Sequence, residues 1–443
     1  MDFAVSTDPA VQAQLDRLTM LSPGRDVLGL ERITALLGRL GDPHQNLAPV
    51  FHVAGTNGKG STCAFLRSAI EAAGLTAHVY SSPHLVRFNE RIRVAGKLID
   101  DATLASLLSE VLDHAEGLEA SFFEVTTAIA FVAFARTPAD AYVVEVGLGG
   151  RLDATNVIAA PAICGIASLG IDHEGFLLVP EAGTPDAPLD RIAFEKAGIA
   201  KSGVALVTQK YASSMADTIA AQAAKTGAKL LARGEVWDAV TYEGRLHYRD
   251  KAGKFSLPLP RMAGAHQADN AALALAMLRH QIAITVPEPA LSAAMEWTRW
   301  PARMQLLAKG PLTDLLPEGS QVWLDGGHNP DACAAIAKVL EDGPPVHVIC
   351  GLLKNKDTIG FLKPFAHKIA SLHALPIPGH EHHDPEELSE LVSKRLGVAA
   401  YSSKTMNAAV QRLSTASNPR TILICGSLYL AGEVLRSNNQ VPD

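Results

Sequence analysis

The chain has 443 residues, of which 48% are hydrophobic, 19% charged and 5% aromatic. This length exceeds what one typical core accommodates and predicts two domains, while the apolar content excludes a disordered chain. The balance of 39 Lys and Arg residues against 46 Asp and Glu residues gives a net charge of −7, which argues against general nucleic-acid binding. We expect no nucleic-acid partner and a local site for any anionic ligand.

Cysteine usage and the N-terminal sequence bear on the cellular compartment. The N-terminal segment lacks the pattern of a signal peptide, and no run approaches the about 18 apolar residues of a membrane span. A cytoplasmic protein without a membrane partner is expected. The cysteines stand singly among apolar neighbours, without C-x-x-C spacing, and should pack in a core under reducing conditions. They are Cys63, Cys164, Cys333, Cys350 and Cys425.

Short apolar runs typical of strands alternate with segments of helical period from about residue 50 onward. The runs are VFHVA, AHVY, AYVVEV, AICGIASL and VALVT, and the helical pattern STCAFLRSAIEAAG follows the first. This alternation predicts an α/β fold with a mainly parallel sheet covered by helices. Residues 177–190 (LLVPEAGTPDAPLD) are rich in Pro, Gly and Asp and predict a loop.

The pattern changes after residue 234. Residues 234–260 alternate polar and apolar residues around Gly turns, which predicts a small antiparallel excursion, and helices are expected at about 270–281 and 287–297. The segment TRWPARMQ (298–305) then places a proline before strand–helix alternation restarts at QVWLDGG. Further strands are expected at PVHVICG, KIASLHALP, VAAY and RTILICG, with helices from about residues 331, 357, 385, 404 and 428. We therefore expect one domain over residues 1–298 and a smaller α/β domain over residues 299–443.

The strongest motif is VFHVAGTNGKGSTCAFLRSAI, which has the pattern of a strand, a glycine-rich turn and a helix. Backbone N–H groups of such a turn bind phosphates together with the helix N-terminus, while Lys59 can reach the terminal phosphates and Ser61 a Mg²⁺ ion. The spacing G-x-x-G-K-x-S is shorter than the general P-loop, and a tight turn without a ligand is the alternative. The lysine between two glycines favours a nucleotide site made of Gly55, Thr56, Asn57, Gly58, Lys59, Gly60 and Ser61.

Eight motifs in order resemble the folylpolyglutamate synthase and dihydrofolate synthase family of Mur-ligase-like enzymes. They are AGTNGKGS, YSSPHLVRFNERIRV, EVGLGGRLDATNV, IDHEG, EKAGI, PARMQ, LDGGHNP and CGSLY, and the match spans about residues 15–434. The resemblance implies a P-loop ATPase domain that binds ATP and folate, followed by a smaller Rossmann-like α/β glutamate-ligase domain. It also implies a monomer that phosphorylates a carboxylate with ATP and joins the acyl phosphate to the amino group of L-glutamate.

The chemical properties of the residues and of the carboxylate substrate also support this reaction. A carboxylate is a poor electrophile because its leaving group would be oxide, so phosphorylation supplies a leaving group that an amine can displace. Phosphoryl transfer needs positioning and positive charge, which Lys59 and Mg²⁺ can provide.

Three candidate metal ligands, Ser82, Glu145 and His173, stand at or just beyond the ends of strand-like runs. Ligands at the carboxyl ends of parallel strands converge at one edge of a sheet. Each residue alone has an ordinary structural explanation, as a turn hydroxyl, a paired carboxylate or a loop histidine. The resemblance assigns all three to Mg²⁺, and a set without cysteine fits an oxygen-preferring ion better than structural zinc.

Lys196, in AFEKAGIA, would by default extend along the protein surface. The resemblance implies instead that this lysine is carbamylated and that the new carboxylate helps to hold a second Mg²⁺. Together with Lys59 and His173, it completes the set of expected catalytic residues.

The resemblance also implies contacts on the other side of the nucleotide, from the end of the first domain and from the second. A strand-ending turn is the ordinary explanation for the DGGH sequence at residues 325–328. The expected contacts are Asn270 at the adenine, Arg303 at phosphate, Asp325 at the ribose, and His328.

Candidates for binding a pterin or folate lie in VLGLERI, SFFE and GRLDAT. Phe123 could stack on a flat heterocycle while a carboxylate pairs with its N–H edge, although adjacent phenylalanines are more often core residues. The candidates are Leu28, Ser121, Phe122, Phe123, Glu124, Leu152, Asp153 and Ala154.

The expected substrates are dihydropteroate or reduced folates, L-glutamate and ATP. We expect an enzyme that makes dihydrofolate and also extends reduced folates with further glutamates. A folylpolyglutamate synthase without the dihydropteroate activity is the alternative. A peptidoglycan-precursor ligase is disfavoured because only about 50 residues precede the P-loop. A non-enzymatic regulator is disfavoured because Lys59, Glu145, His173 and Lys196 are all present.

Overall fold

The protein is described from a computed structural model that covers residues 4–21, 28–415, 418 and 420–443. The chain divides into two compact units. The first contains the chain up to Arg261 together with Gln267–Arg299, and the second contains Met262–His266 and Trp300–Asp443. The division between residues 299 and 300 lies one residue beyond the expected domain boundary, and the short stretch 262–266 was not anticipated.

The first unit is built on an eight-stranded sheet in the order β4-β3-β2-β5-β1-β6-β7-β8. All neighbouring pairs are parallel except β2–β3 and β3–β4, which form an antiparallel edge. The central strands β1, β2, β5 and β6 are buried along their whole length, as expected for a parallel sheet covered on both faces. The strands are β1 (Val50–Ala54), β2 (Ala77–Tyr80), β3 (Ile92–Val94), β4 (Lys97–Leu98), β5 (Ala141–Glu145), β6 (Ile163–Ile166), β7 (Ala205–Thr208) and β8 (Lys229–Ala232).

Helices cover this sheet and enclose clusters of buried hydrophobic side chains. One core joins the N-terminal helices to α4 and α5, with Leu15, Leu36 and Leu108 among its buried side chains. The other core includes Ala193 of α7 and Ile219 of α8. The helices are α1 (Pro9–Leu21), α2 (Glu31–Arg39), α3 (Lys59–Ala72), α4 (Asp101–Ala115), α5 (Phe122–Arg136), α6 (Glu174–Leu177), α7 (Pro188–Ala197), α8 (Ser213–Thr226), α9 (Ala265–His280) and α10 (Glu288–Trp297).

A separate three-stranded antiparallel sheet confirms the excursion expected from the sequence. It consists of β9 (Trp237–Tyr242), β10 (Arg245–Asp250) and β11 (Gly253–Pro258). Glu243 and Gly244 form the two-residue turn between β9 and β10, and both have positive φ, at 50° and 70°. This is the backbone that a tight hairpin with right-handed strand twist requires.

The second unit contains a six-stranded sheet in the order β12-β13-β17-β14-β15-β16, parallel except at its β12 edge. Asn329, Asp357, Asp384, Thr405 and Ser427 cap the five helices by accepting hydrogen bonds from first-turn N–H groups. The elements are β12 (Gln305–Leu306), β13 (Gln321–Leu324), α11 (Pro330–Leu340), β14 (Val346–Cys350), α12 (Thr358–Leu362), β15 (Ile369–Ala374), α13 (Pro385–Leu396), β16 (Ala400–Ser402), α14 (Met406–Ser414), β17 (Thr421–Cys425) and α15 (Leu428–Ser437).

These elements confirm the α/β prediction, with one local correction. The loop expected over residues 177–190 is shorter, because Leu177 ends α6 and Pro188 already begins α7. Proline is well suited to the first helical position, since its missing N–H would have no intrahelical partner there. All five cysteines are free and buried, as expected. No helix within the described ranges is long and apolar enough to cross a membrane.

Candidate active site

The glycine-rich turn lies between β1 and α3, and its conformation requires glycine at two positions. Gly55 has φ of 151° and Gly58 has φ of 84°. A Cβ atom on Gly58 would lie 2.3 Å from Oδ1 of Asn270, and one on Gly55 would lie 2.9 Å from Cβ of Ala167. Backbone strain and close packing therefore both exclude a side chain at these positions.

Hydrogen bonds to the segment after β6 fix this turn in place. The N–H of Thr56 donates to the carbonyl of Ser168 over 2.8 Å, and its hydroxyl donates to the carbonyl of Gly170 over the same distance. The ammonium group of Lys59 donates to the carbonyls of Gly55 and Thr56, at 3.0 and 3.3 Å. The lysine thus folds back over the turn, which places its positive charge at the loop.

The first turn of α3 places two buried hydroxyl groups two and three residues after Lys59. Gly60, Ser61 and Thr62 are all buried. Within the described residues, Ser61 Oγ and Thr62 Oγ1 have no hydrogen-bond partner. Hydroxyls left unsatisfied at a helix N-terminus, beside a lysine and a glycine-rich turn, are chemically suited to phosphate oxygens or a hard metal ion.

Two of the expected metal ligands are brought together at neighbouring strand ends. Ser82 follows β2 and Glu145 ends β5, and these two strands pair in parallel. The N–H of Ser82 donates to Oε2 of Glu145 over 3.4 Å, and Glu145 is only 4% exposed. Burial raises the pKa of the Cys63 thiol in α3, and the nearby Glu145 carboxylate raises it further, so this carboxylate lies close to the helix after the turn.

The third expected ligand has a different setting. His173 is exposed at the start of α6 and has φ of 53°. Its backbone N–H donates to Oδ1 of Asp172 over 2.8 Å. Within the described ranges, no three side chains of His, Cys, Asp and Glu are grouped to hold a metal ion. A magnesium ion held here would also bind water and phosphate oxygens, as magnesium commonly does.

Lys196 is buried instead of extending along the surface. It lies in the last turn of α7 and is 4% exposed. Burial, together with the charge of Lys59, lowers the pKa of Lys196 to about 7, although Asp172, Asp153 and Glu195 act in the opposite direction. This amine therefore lies near the P-loop lysine and can lose its proton near neutral pH.

The loop after β5 and the end of α7 pack backbone against backbone. A Cβ atom on Gly150 would lie 2.8 Å from the carbonyl oxygen of Glu195, and one on Gly198 would lie 2.4 Å from Cβ of Arg151. The N–H of Arg151 also donates to the carbonyl of Glu195 over 2.8 Å. Two motifs that are separate in sequence, GLGGRLDATNV and EKAGI, thus form one interlocked unit. Arg151 and Glu195 were not among the expected site residues, although both lie within these motifs.

Asp153 is fully buried and holds the same loop through both carboxylate oxygens. Oδ1 accepts hydrogen bonds from the N–H and hydroxyl of Thr155, at 3.0 and 2.5 Å, and Oδ2 accepts one from the N–H of Leu148 at 2.8 Å. Nε2 of His52 lies 2.9 Å from the Thr155 hydroxyl. Burial raises the pKa of Asp153 above its ordinary value. Ala154 beside it is buried, and Leu152 is half-buried.

The SFFE segment forms the start of α5. Ser121 and Glu124 make a reciprocal capping box, in which the N–H of Ser121 donates to Oε2 of Glu124 over 2.7 Å. Arg32 of α2 pairs with the same oxygen at 3.1 Å, an interaction between helices that the sequence did not reveal. Oε1 of Glu124 is buried and has no hydrogen-bond partner within the described residues.

The two phenylalanines of this segment have different surroundings, although both pack partly against the hydrophobic core. The Phe122 ring meets Phe88 edge-on at 5.9 Å. The Phe123 ring lies against Gly147 in the loop after β5, and its centroid is 6.0 Å from that of Tyr80. Phe123 therefore borders the loop that carries Leu152, Asp153 and Ala154. Leu28, which precedes α2, is half-buried.

Three expected ATP contacts lie together in the second unit, at the carboxyl end of β13. Oδ2 of Asp325 accepts from the N–H of Met304 and Oδ1 from that of Gly327, at 2.8 and 2.7 Å. Arg303 donates to the carbonyl of Ala302, and Nδ1 of His328 lies 3.0 Å from the carbonyl oxygen of Gly326. Asn270 belongs to the first unit, where it contacts Gly58 as described above.

Comparison with known proteins places this geometry in a family. Residues 302–428 match the family model described as Mur ligase, glutamate ligase domain. The dihydrofolate synthase/folylpolyglutamate synthase of Escherichia coli (strain K12) is 33% identical over 413 residues, which cover 92% of this chain and 90% of the relative.

Solved structures give the same result. The chain matches E. coli FolC in complex with DHPP and ADP with a TM-score of 0.84 and 30% identity, covering 97% of both chains. It matches the bifunctional folylpolyglutamate synthase/dihydrofolate synthase of Yersinia pestis, complexed with AMPPNP and a Mn ion, with a TM-score of 0.81 and 29% identity, covering 97% of this chain and 99% of that one. This chain therefore belongs to the dihydrofolate synthase/folylpolyglutamate synthase family of ATP-dependent, Mur-ligase-like enzymes.

Proposed function

We propose that this enzyme joins L-glutamate to dihydropteroate, which makes dihydrofolate, and to reduced folates, which extends their glutamate tail. The observation that carries the proposal is the convergence of the phosphate-binding turn, Glu145 and the buried Lys196 within a chain of this family. The turn supplies a cation and helix N–H groups, while the neighbouring residues supply a carboxylate and an amine that can be modified.

The reaction activates a carboxylate before the amide bond forms. An oxygen of the pteroate or folate carboxylate attacks the γ-phosphorus of ATP, the bond to the bridging oxygen breaks, and ADP leaves. The amino group of L-glutamate then attacks the acyl carbon, loses a proton and expels inorganic phosphate. In the first step, Lys59 and the N–H groups at the start of α3 stabilise negative charge on the transferring phosphoryl group.

Ser82, Glu145 and His173 are proposed to hold Mg²⁺, which would supply a Lewis acid for the phosphate oxygens. The hydroxyl and buried carboxylate are the hard oxygen donors that this ion prefers. The Y. pestis relative was crystallised with AMPPNP and a Mn ion, which supports a nucleotide and a divalent metal at this site. A second ion, held with the help of carbamylated Lys196, is part of the proposal.

On the pterin side, Phe123 is proposed to stack on the heterocycle, because its ring borders the loop after β5. Oε1 of Glu124 has unused acceptor capacity for a ligand N–H. Leu28, Ser121, Phe122, Leu152, Asp153 and Ala154 complete this proposed site.

The assignments of Asn270 to the adenine, and of Arg303, Asp325 and His328 to ATP, also remain predictions. The carboxylate of Asp325 already accepts two backbone hydrogen bonds, which fix its orientation for any further contact. Residues 1–298 are proposed to bind ATP and folate, and residues 299–443 to form the glutamate-ligase domain of a cytoplasmic monomer.

ADP release with each acceptor tests the reaction. Purified enzyme with ATP should release ADP with dihydropteroate and with tetrahydrofolate, and sustained release should require L-glutamate in both cases. Release with tetrahydrofolate alone would identify a folylpolyglutamate synthase that lacks the dihydropteroate activity. No glutamate-dependent release with either acceptor would contradict the proposed function.

Replacing Glu145 with Gln should raise the Mg²⁺ concentration needed for half-maximal activity, because an anionic oxygen ligand is lost at constant volume. The increase should be at least about 10-fold, which is typical when a residue that supports a metal site is lost. Glu288→Gln is the matched control, since Glu288 is exposed in α10. An unchanged magnesium titration in Glu145→Gln would show that Glu145 is not a ligand.

Carbamylation of Lys196 should be visible by ¹³C NMR after incubation with labelled bicarbonate. The pKa of Lys196 is about 7, so the neutral amine that reacts with CO₂ predominates above this pH. The neutral amine is lost as the pH falls through 7. The carbamate signal and activity should therefore both decline as the pH falls below 7, and added bicarbonate should oppose the decline.

Lys196→Ala should abolish most activity while ATP binding persists, whereas Lys225→Ala, at an exposed position in α8, should change neither. A spectrum without a carbamate signal, combined with full activity of Lys196→Ala, would contradict the assignment.

Phe123→Leu should raise the KM for dihydropteroate by about 2- to 10-fold, because ring stacking contributes about 0.5–1.5 kcal/mol beyond area burial. The KM for ATP should stay unchanged. Phe134→Leu removes a fully buried ring from the same helix and should lower the Tm without a selective effect on either KM. Equal effects of Phe123→Leu on all substrates, with a reduced Tm, would identify Phe123 as a core residue only.

A further inference from the structure

The segment between α6 and α7 contacts the rest of the first unit through Leu177, Glu181 and Thr184, whose hydroxyl accepts a hydrogen bond from Arg191. At its start, the Leu177 side chain is 2% exposed, and its Cδ2 atom lies 3.0 Å from where a Cβ on Gly149 would be. Four residues later, Glu181 contacts two arginines from different elements. The segment that continues from His173 is therefore anchored by both an apolar and an ionic contact.

The ionic contact belongs to a set of four side chains that we term the Arg–Glu network: Arg151, Glu181, Arg191 and Glu195. Arg151 donates to Glu181 from Nη1 and Nη2, at 3.1 and 2.5 Å, and to Glu195 from Nε and Nη2, both at 3.0 Å. Arg191 donates to Glu181 from Nη2 and to Glu195 from Nε, again at 3.0 Å. Each arginine thus bridges both carboxylates.

Charge and burial explain why the network needs all four members. The side chains of Glu195 and Arg191 are 4% and 6% exposed, and that of Glu181 is 45% exposed. Two guanidinium groups and two carboxylates sum to zero net charge. Without Glu181, two arginines would face the single carboxylate of Glu195, and a buried unpaired charge is costly. Hydrogen bonds from Arg151 lower the pKa of Glu181, so this carboxylate is ionised at neutral pH.

The network joins three stretches that the proposed function places at the active site. Glu195 immediately precedes Lys196, Arg151 lies two residues before Asp153, and Glu181 belongs to the segment that continues from His173. The end of α7 and the loop after β5 already interlock at Gly150 and Gly198. Glu181 therefore attaches the segment that continues from His173 to two stretches that are fixed against each other.

We propose that Glu181 is a positioning residue for the reaction, which holds the segment bearing His173 against Arg151 and Arg191 and thereby fixes it relative to Lys196. This inference rests on the proposed function, in which His173 is a metal ligand and Lys196 is modified. Glu181 itself acts only through the two arginines. Residues that orient metal ligands commonly change metal affinity or activity by about 10- to 100-fold when they are removed.

The test compares Glu181→Gln with Asp186→Asn, a carboxylate-to-amide change at an exposed position of the same segment. Hydrogen–deuterium exchange of residues 174–187 reports the anchoring directly and does not depend on catalysis. Glu181→Gln should exchange faster over this segment and should need about 10-fold more Mg²⁺ for half-maximal ligase activity. Asp186→Asn should match the unmodified enzyme in both measurements, and Glu181→Asp should recover part of the magnesium affinity.

Three results would overturn the inference. Unchanged exchange in Glu181→Gln would show that the network does not anchor the segment. Faster exchange with an unchanged magnesium requirement would show that the anchoring has no role in the site, provided that His173→Ala raises the requirement in the same assay. If His173→Ala also leaves it unchanged, the metal assignment under the proposed function fails, and the positioning role of Glu181 fails with it.

Discussion

Close approach of backbone to backbone at glycines is the constraint on which the rest of the site depends. Gly150 meets the backbone carbonyls of Glu195 and Lys196, and Gly198 meets the backbone of Arg151, while Gly58 meets the side-chain amide of Asn270. None of these positions has room for a Cβ atom, so any side chain would separate the elements that carry the polar groups. These contacts fix the loop after β5 against the end of α7, which carries Lys196, and they fix the glycine-rich turn against α9.

The electrostatics of the site follow from this close packing. Burial disfavours a charge on Lys196, and the nearby charge of Lys59 adds to the effect. A buried cation beside another cation is stabilised either by losing its proton or by gaining a negative group. Carbamylation does both, because it consumes the neutral amine and creates a carboxylate. The same surroundings that would make an ordinary lysine unfavourable thus favour the proposed modification.

The Arg–Glu network has a different physical role from the lysines. Its four charges cancel, so it fixes the positions of the segments that carry it and adds no net charge next to the proposed site for phosphates and metal. Multiple hydrogen bonds between guanidinium and carboxylate groups also restrict orientation more than a single contact does. This restriction is useful where a segment outside the sheet, such as that after His173, must keep a fixed position.

Much of the fold and the family could be predicted from the sequence, because the signals are local. Alternating apolar runs and helical patterns predicted the two α/β sheets and the antiparallel hairpins. The glycine-rich turn was recognisable because its glycines and lysine occupy adjacent positions, and the ordered motifs pointed to the folate ligase family that the comparisons confirm.

Contacts between distant residues could not be predicted in this way. No local pattern shows that Lys196 is buried near Lys59, that Arg32 pairs with Glu124, or that Cys350 and Cys425 are neighbours on adjacent strands. The sequence by itself determined the element types, the glycine-rich turn and the family, since each depends on residues close along the chain or on the order of motifs. Only the tertiary structure decided the burial, pairing and protonation of the side chains, because strand order and glycine contacts bring together charges that lie tens of residues apart.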